Sequence, residues 1–158
     1  TRRLMLFKDG AIRYDRSDGA ASCWKIGLGV YSDGRPSYAF DKRMEGDRHT
    51  PIGLFRISDK AWSSYYGAMY VHYPSTRHAQ MGLTAGRIKK GTLDQIAKAE
   101  LRGTLPPQNS PLGGDILIHG GGSSQDWTWG CIAMNNHDID ELRALLHTGM
   151  KTWILILP

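Results

Sequence analysis

The stretch from Ile118 to Asn135 constrains this chain more than any other. It places His119 at the end of an apolar run, follows it with Gly120, Gly121 and Gly122, and brings Cys131 directly after Gly130. Asp115-Ile116-Leu117-Ile118-His119, after Gly113-Gly114, reads as a short buried strand. The three glycines permit a tight turn, because glycine tolerates positive φ and close backbone approach. Downstream, Asn135 or Asn136 is a helix N-cap candidate, and Asp138, Asp140 and Glu141 suit a first turn. Ile139, Leu142, Leu145 and Leu146 recur on one helical face up to Gly149, the expected stop. Cys131 therefore falls in a loop between a strand end and a helix, close to His119.

A thiol is a poor nucleophile and a thiolate a good one, and a neighbouring imidazole is the usual way to make the thiolate. The spacing proposes Cys131 as nucleophile and His119 as base, which points to acyl transfer. Backbone N–H groups of Trp129, Gly130 and Cys131 are the candidates for an oxyanion hole. Taken singly, a cysteine is more often a small buried hydrophobe, and a histidine at a strand end a structural residue. Spacing alone leaves both readings open.

Elsewhere the chain alternates short strand patterns with turn signals. Asp9-Gly10 marks a two-residue hairpin, and Ser32-Asp33-Gly34 a turn after a strand over Cys23–Tyr31. Further strands are expected at Gly53–Ser58, Ala68–His72 and Thr152–Leu157. Thr92 and Gln95 form a capping box opening a helix to about Leu101, and Leu105 to Pro111 is an extended connector. Many short strands with glycine-rich turns predict a mainly β protein, an antiparallel sandwich or barrel with two or three short helices.

At 158 residues, one domain is expected, long enough to bury roughly two-thirds of its unfolded surface. No apolar stretch approaches the roughly 20 residues that span a bilayer. The net charge of +5 suits an anionic polymer, but an ordinary solvated surface explains it as well, and no nucleic-acid motif is present. The six histidines are dispersed without metal-ligand spacing, so no metal is expected, and no cofactor either. Cys23 lies in a strand pattern where a buried thiol is unremarkable, and no disulfide with Cys131 is expected.

Two ordered segments carry a family resemblance. His119-Gly120 followed by Thr128-Trp129-Gly130-Cys131 resembles the catalytic signature of the YkuD-type L,D-transpeptidases. Gly46-Asp47-Arg48-His49-Thr50-Pro51-Ile52-Gly53-Leu54-Phe55-Arg56-Ile57 is similar to the family's G-D-x-x-T-P-x-G-x-F-x-I segment. Three features depart from the pattern: Trp129 stands where many members have a second histidine, Ala133 replaces a frequent arginine, and the loop from His119 to Thr128 is short. These departures look closer to the YafK-like branch, some members of which are similar to hydrolases that detach proteins from the wall.

The resemblance implies a YkuD-like fold over residues 1–158 as a single catalytic domain, outside the cytoplasm in the periplasm or cell envelope. It implies that Cys131 attacks an L,D-peptide bond of a peptidoglycan stem to give a thioester. His119 would serve as base, with the Gly120 carbonyl holding its tautomer. An amine acceptor gives a cross-link or an attached wall protein, and water gives trimming or release. Carbapenem-type β-lactams are the implied covalent inhibitors. The expected substrate contacts are Trp127, Thr128, Trp129, Arg48 and Tyr70. Lys42 is expected as a surface charge, and the Tyr65–Tyr73 stretch as one wall of the cleft. The rival from another class is a peptidoglycan-binding module without turnover.

Overall fold

The computed structural model describes residues 2–16, 18–146 and 152–158. Its central sheet has five strands in the order β8-β7-β6-β5-β9. These are β5 (Gly53–Asp59), β6 (Met69–Val71), β7 (Leu117–His119), β8 (Ile132–Ala133) and β9 (Trp153–Ile156). Two smaller antiparallel pairs precede it: β1 (Arg3–Met5) with β4 (Cys23–Lys25), and β2 (Phe7–Lys8) with β3 (Ala11–Ile12). Three helices complete the described elements: α1 (Thr76–Thr84), α2 (Lys90–Arg102) and α3 (Asn136–Leu145). The fold is mainly β, as the turn-rich pattern predicts.

Local chemistry explains the elements that were expected. Asp9 and Gly10 both take positive φ, at 53° and 80°, the combination a two-residue hairpin turn needs. β5, β6 and β9 cover most of the anticipated strand ranges in antiparallel register, with Ile57 opposite Val71 and Phe55 opposite Ile154. α3 presents Ile139 and Leu142 to the core, where they join Trp24, Phe55, Val71, Ile118, Ile132 and Met134. Its expected end at Gly149 lies outside the described residues.

The structure corrects four expectations. β7 and β8 run parallel, so the sheet is mixed. A parallel pair needs a crossover of about a dozen residues, and the stretch from Gly120 to Cys131 supplies it. The Cys23–Tyr31 strand stops at Lys25 and continues only as bridges at Gly27, Gly29 and Val30. There, Gly29 backs onto the Arg48 carbonyl so closely that a Cβ would stand 2.2 Å from it. The second helix starts at Lys90 with Lys89 as its N-cap, so Thr92 lies inside the first turn and caps nothing. An unexpected helix, α1, packs against α2 over Ala79, Ile88, Ile96 and Leu112.

Candidate active site

The site forms where β7 ends. His119 is 1% exposed, and its Nδ1 donates to the Gly120 carbonyl at 2.5 Å. A carbonyl only accepts, so this bond keeps the proton on Nδ1 and leaves a lone pair on Nε2. The ring is sandwiched: Tyr65 lies 4.4 Å away between centroids, and Trp127 meets it edge-on at 5.5 Å. Trp127 is itself fixed by its indole N–H donating to Gly122 at 3.0 Å.

The glycine turn after His119 is pinned from α3. Asn136 Oδ1 accepts the Gly121 N–H at 2.9 Å, and Asn135 Oδ1 accepts the Ser123 N–H at 3.2 Å. A Cβ at Gly120 would stand 2.4 Å from the same Asn136 oxygen, so any side chain there would displace the amide that pins the turn. Asn135 is the N-cap by position, as expected, but its side chain serves the turn and Asp138 rather than the helix amides.

Cys131 lies just before β8, and extending the register that pairs His119 with Ala133 puts it beside Leu117. Its sulfur accepts the Leu117 N–H at 3.4 Å and donates to the Asp115 carbonyl at 3.5 Å. Among the described residues these two backbone groups are the sulfur's hydrogen-bond partners; the imidazole is not one of them. Burial pushes the thiol up to about 11, with Asp115 adding to the rise and the Leu117 amide and Lys42 charge opposing it. Burial also pushes His119 below the ordinary histidine range, against its bond to Gly120. Both groups are therefore neutral at neutral pH in the resting structure.

The remaining expected site residues divide. Arg48 stacks over the exposed Trp129 ring at 4.4 Å, so these two form one surface two residues from Cys131. Tyr70 stands opposite Leu117 and holds Lys60 by its hydroxyl and its ring face, while Lys60 reaches Asp115 at 3.4 Å. Thr128 is 3% exposed, and its hydroxyl donates to the Cys131 carbonyl at 2.7 Å. In that placement the hydroxyl braces the loop. The Gly130 N–H is turned to the Thr128 hydroxyl at 3.3 Å, so at rest it is not free for an oxyanion. Lys42 is no surface charge; it is 2% exposed and paired with Asp47 at 2.9 Å.

Sequence reasoning missed Lys60, Asp115 and the turn-holding role of Asn135 and Asn136. Two consecutive asparagines after a glycine-rich turn are compatible with capping and with pinning, and only the fold separates them. Cys23 and Cys131 are both free thiols. Among the described residues, no group of three or more His, Cys, Asp or Glu side chains is arranged to hold a metal, and no helix is long and apolar enough to cross a membrane.

The YkuD model, the L,D-transpeptidase catalytic domain, matches residues 1–154. The crystal structure of the helical cell shape determining protein Pgp2 from Campylobacter jejuni superimposes with a TM-score of 0.55 at 23% identity. It covers 98% of this chain but 42% of Pgp2, so the chain spans less than half the length of that protein. A point mutant of Pgp2 matches equally well. At that identity the likeness speaks for the fold. No curated protein matches the chain.

Proposed function

The chain belongs to the YkuD family of L,D-transpeptidase catalytic domains, and from that premise we propose that it is a cysteine-dependent acyl-transfer enzyme acting on L,D-peptide bonds of peptidoglycan stems. The observation that carries the reading is the imidazole of His119 on the strand beside Cys131, kept neutral by burial and held by the Gly120 carbonyl in the tautomer that leaves the Nε2 lone pair available. Leu117 and His119 project from the same face of β7. The reading requires the Cys131 side chain to turn from Asp115 toward the imidazole.

In this mechanism His119 takes the thiol proton as the sulfur attacks the carbonyl carbon of the L,D-bond. Because thiol and imidazole are both neutral at rest, proton transfer accompanies attack. The amide bond breaks, the leaving D-residue takes the proton from His119, and a thioester remains on Cys131. An amine or water then attacks the thioester, gives its proton to His119, and frees the thiol. The amides of Trp129 and Cys131 carry the oxyanion, because the Gly130 amide is engaged by Thr128. Arg48 and Trp129 offer a cation and a flat apolar ring for a charged peptide beside the nucleophile. The site works outside the cytoplasm, on stem peptides or a wall-linked protein, and a carbapenem acylates Cys131 by the same chemistry.

The test uses purified tetrapeptide muropeptides with and without an added amine, with products weighed by mass spectrometry. Loss of the terminal D-residue is expected, giving a tripeptide if water is the acceptor and a new amide if an amine is. Turnover that survives Cys131→Ala at the wild-type rate removes the reading. A carbapenem adduct on Cys131 separates the enzyme from a binding module that keeps the fold.

A further inference from the structure

A cavity of about 420 Å³ lies between the loop after Asp41 and helix α1, with neither His119 nor Cys131 in its lining. Its lining includes Lys42, Arg43, Arg77, His78 and Arg87, and no carboxylate. Two carboxylates stand behind that lining and order it. Asp41 accepts from the Ile52 amide at 2.8 Å and from His78 Nε2 at 3.1 Å, and it pairs with Arg77. Asp47 holds Lys42 at 2.9 Å and the amides of Arg43 and Met44 at 2.7 and 2.9 Å. Glu45 turns instead toward Gly113. Arg43 and Arg87, both exposed, have no carboxylate partner among the described residues. The cavity is thus a concave surface in which Lys42 and Arg77 are paired with carboxylates while the two exposed guanidiniums of Arg43 and Arg87 are not.

One lining residue, Lys42, touches the segment that leads to the nucleophile's neighbour. A Cβ at Gly113 would stand 3.2 Å from Lys42 Cε, and Gly113 lies two residues before Asp115, whose carbonyl meets the Cys131 sulfur. Lys42 thus links the cavity lining to the short stretch, residues 113–115, whose last carbonyl meets the thiol.

We propose that this cavity is a second substrate subsite, in which Arg43 and Arg87 bind free carboxylates of a peptidoglycan stem peptide while another part of the polymer is presented to Cys131. The proposal rests on the acyl-transfer reading for its choice of ligand. Guanidinium suits carboxylate because its planar donors match two oxygens at once. Both arginines are exposed, so the interaction weakens with salt.

The test measures retention of the protein on insoluble peptidoglycan, in a Cys131→Ala background so that the polymer is not consumed. Native polymer is compared with polymer whose carboxylates have been converted to amides. Two exposed guanidinium contacts predict a loss of roughly fivefold in Arg43→Gln/Arg87→Gln on native polymer, shrinking at high salt. Amidation should reduce the parent to the level of that double variant, and Arg43→Lys/Arg87→Lys should restore part of the retention. Equal retention of parent and glutamine variant on native polymer overturns the proposal. So does a deficit of the glutamine variant that persists undiminished on amidated polymer, because the arginines would then read something other than carboxylates. Carbapenem acylation of Cys131 in otherwise wild-type protein reports the catalytic reading separately. Its absence counts against that reading and leaves the retention result to decide the cavity.

Discussion

The Thr128 hydroxyl donates to the carbonyl of Cys131 at 2.7 Å, so a side chain three positions upstream sets the backbone that carries the thiol. The same oxygen accepts the Gly130 amide at 3.3 Å. Thr128→Val keeps the shape and removes both bonds in a buried site, which predicts a loss of about 1–3 kcal/mol in urea unfolding. Thr128→Ser should recover most of it. Equal stability of the valine variant and wild type would show that the hydroxyl braces nothing.

Tyr65 lies 4.4 Å from the His119 ring yet is 45% exposed. Tyr65→Ala removes one wall of the imidazole at little cost to the core. We expect a stability change within about 1.5 kcal/mol, the scale of an aromatic pair. The rate of Cys131 acylation should fall clearly, by roughly tenfold, if ring orientation supports general-base catalysis. An unchanged acylation rate would mean that Tyr65 does not orient the base.

Gly130 has φ of 118°, and a Cβ there would stand 2.6 Å from the His49 carbonyl oxygen. Gly130→Ala combines a left-handed backbone with a backbone clash that no rotamer relieves. A destabilisation of about 2–4 kcal/mol is expected, from strain of about 1–3 kcal/mol plus the clash. Thermal unfolding at matched concentration measures it, and a melting temperature equal to wild type would contradict the close approach.

The pH dependence has two separable parts. Cys131 is pushed up to about 11, so in a Cys23→Ala protein its alkylation by iodoacetamide should climb steadily from pH 7 to 10. A plateau near neutrality would reveal a preformed thiolate instead. His119 is pushed below its unfolded value by burial. Below the unfolded value of about 6.5 the unfolded chain binds a proton that the folded chain refuses, so stability falls as pH drops through and below that value. The contribution of His119 is fully present above it. His119→Gln should flatten that slope in chemical unfolding followed from pH 7 to pH 5, though His72, also lowered by burial, retains part of it.

What was legible in the residues was local. Asp9-Gly10 carries its own turn chemistry, and the apolar run ending at His119 announces a strand and a glycine turn whatever surrounds it. α1 was not legible because its inward positions, His78, Ala79 and Gly82, form no apolar stripe. The burial of Lys42 was equally hidden, since Asp47, Tyr73 and Gly113 enclose it only once the chain has closed. In the candidate site, spacing proposes the pair His119 and Cys131 but leaves the structural reading open until the two family segments are set beside it, and the stacking of Arg48 on Trp129 is visible only in the fold. Thr128 could not be sorted from substrate contacts, because whether a hydroxyl faces cleft or backbone depends on loop shape. The resting direction of the Cys131 thiol depends on Asp115 in the same way, a residue with positive φ of 50° that nothing in the sequence marks.

Acid-quenched mass mapping of the protein during turnover of a tetrapeptide muropeptide tests the central claim most directly. The account predicts a thioester on Cys131 carrying the stem minus its terminal D-residue, formed more slowly by roughly two to four orders of magnitude in His119→Ala. An adduct on another residue, or one that forms at the same rate without His119, would contradict it.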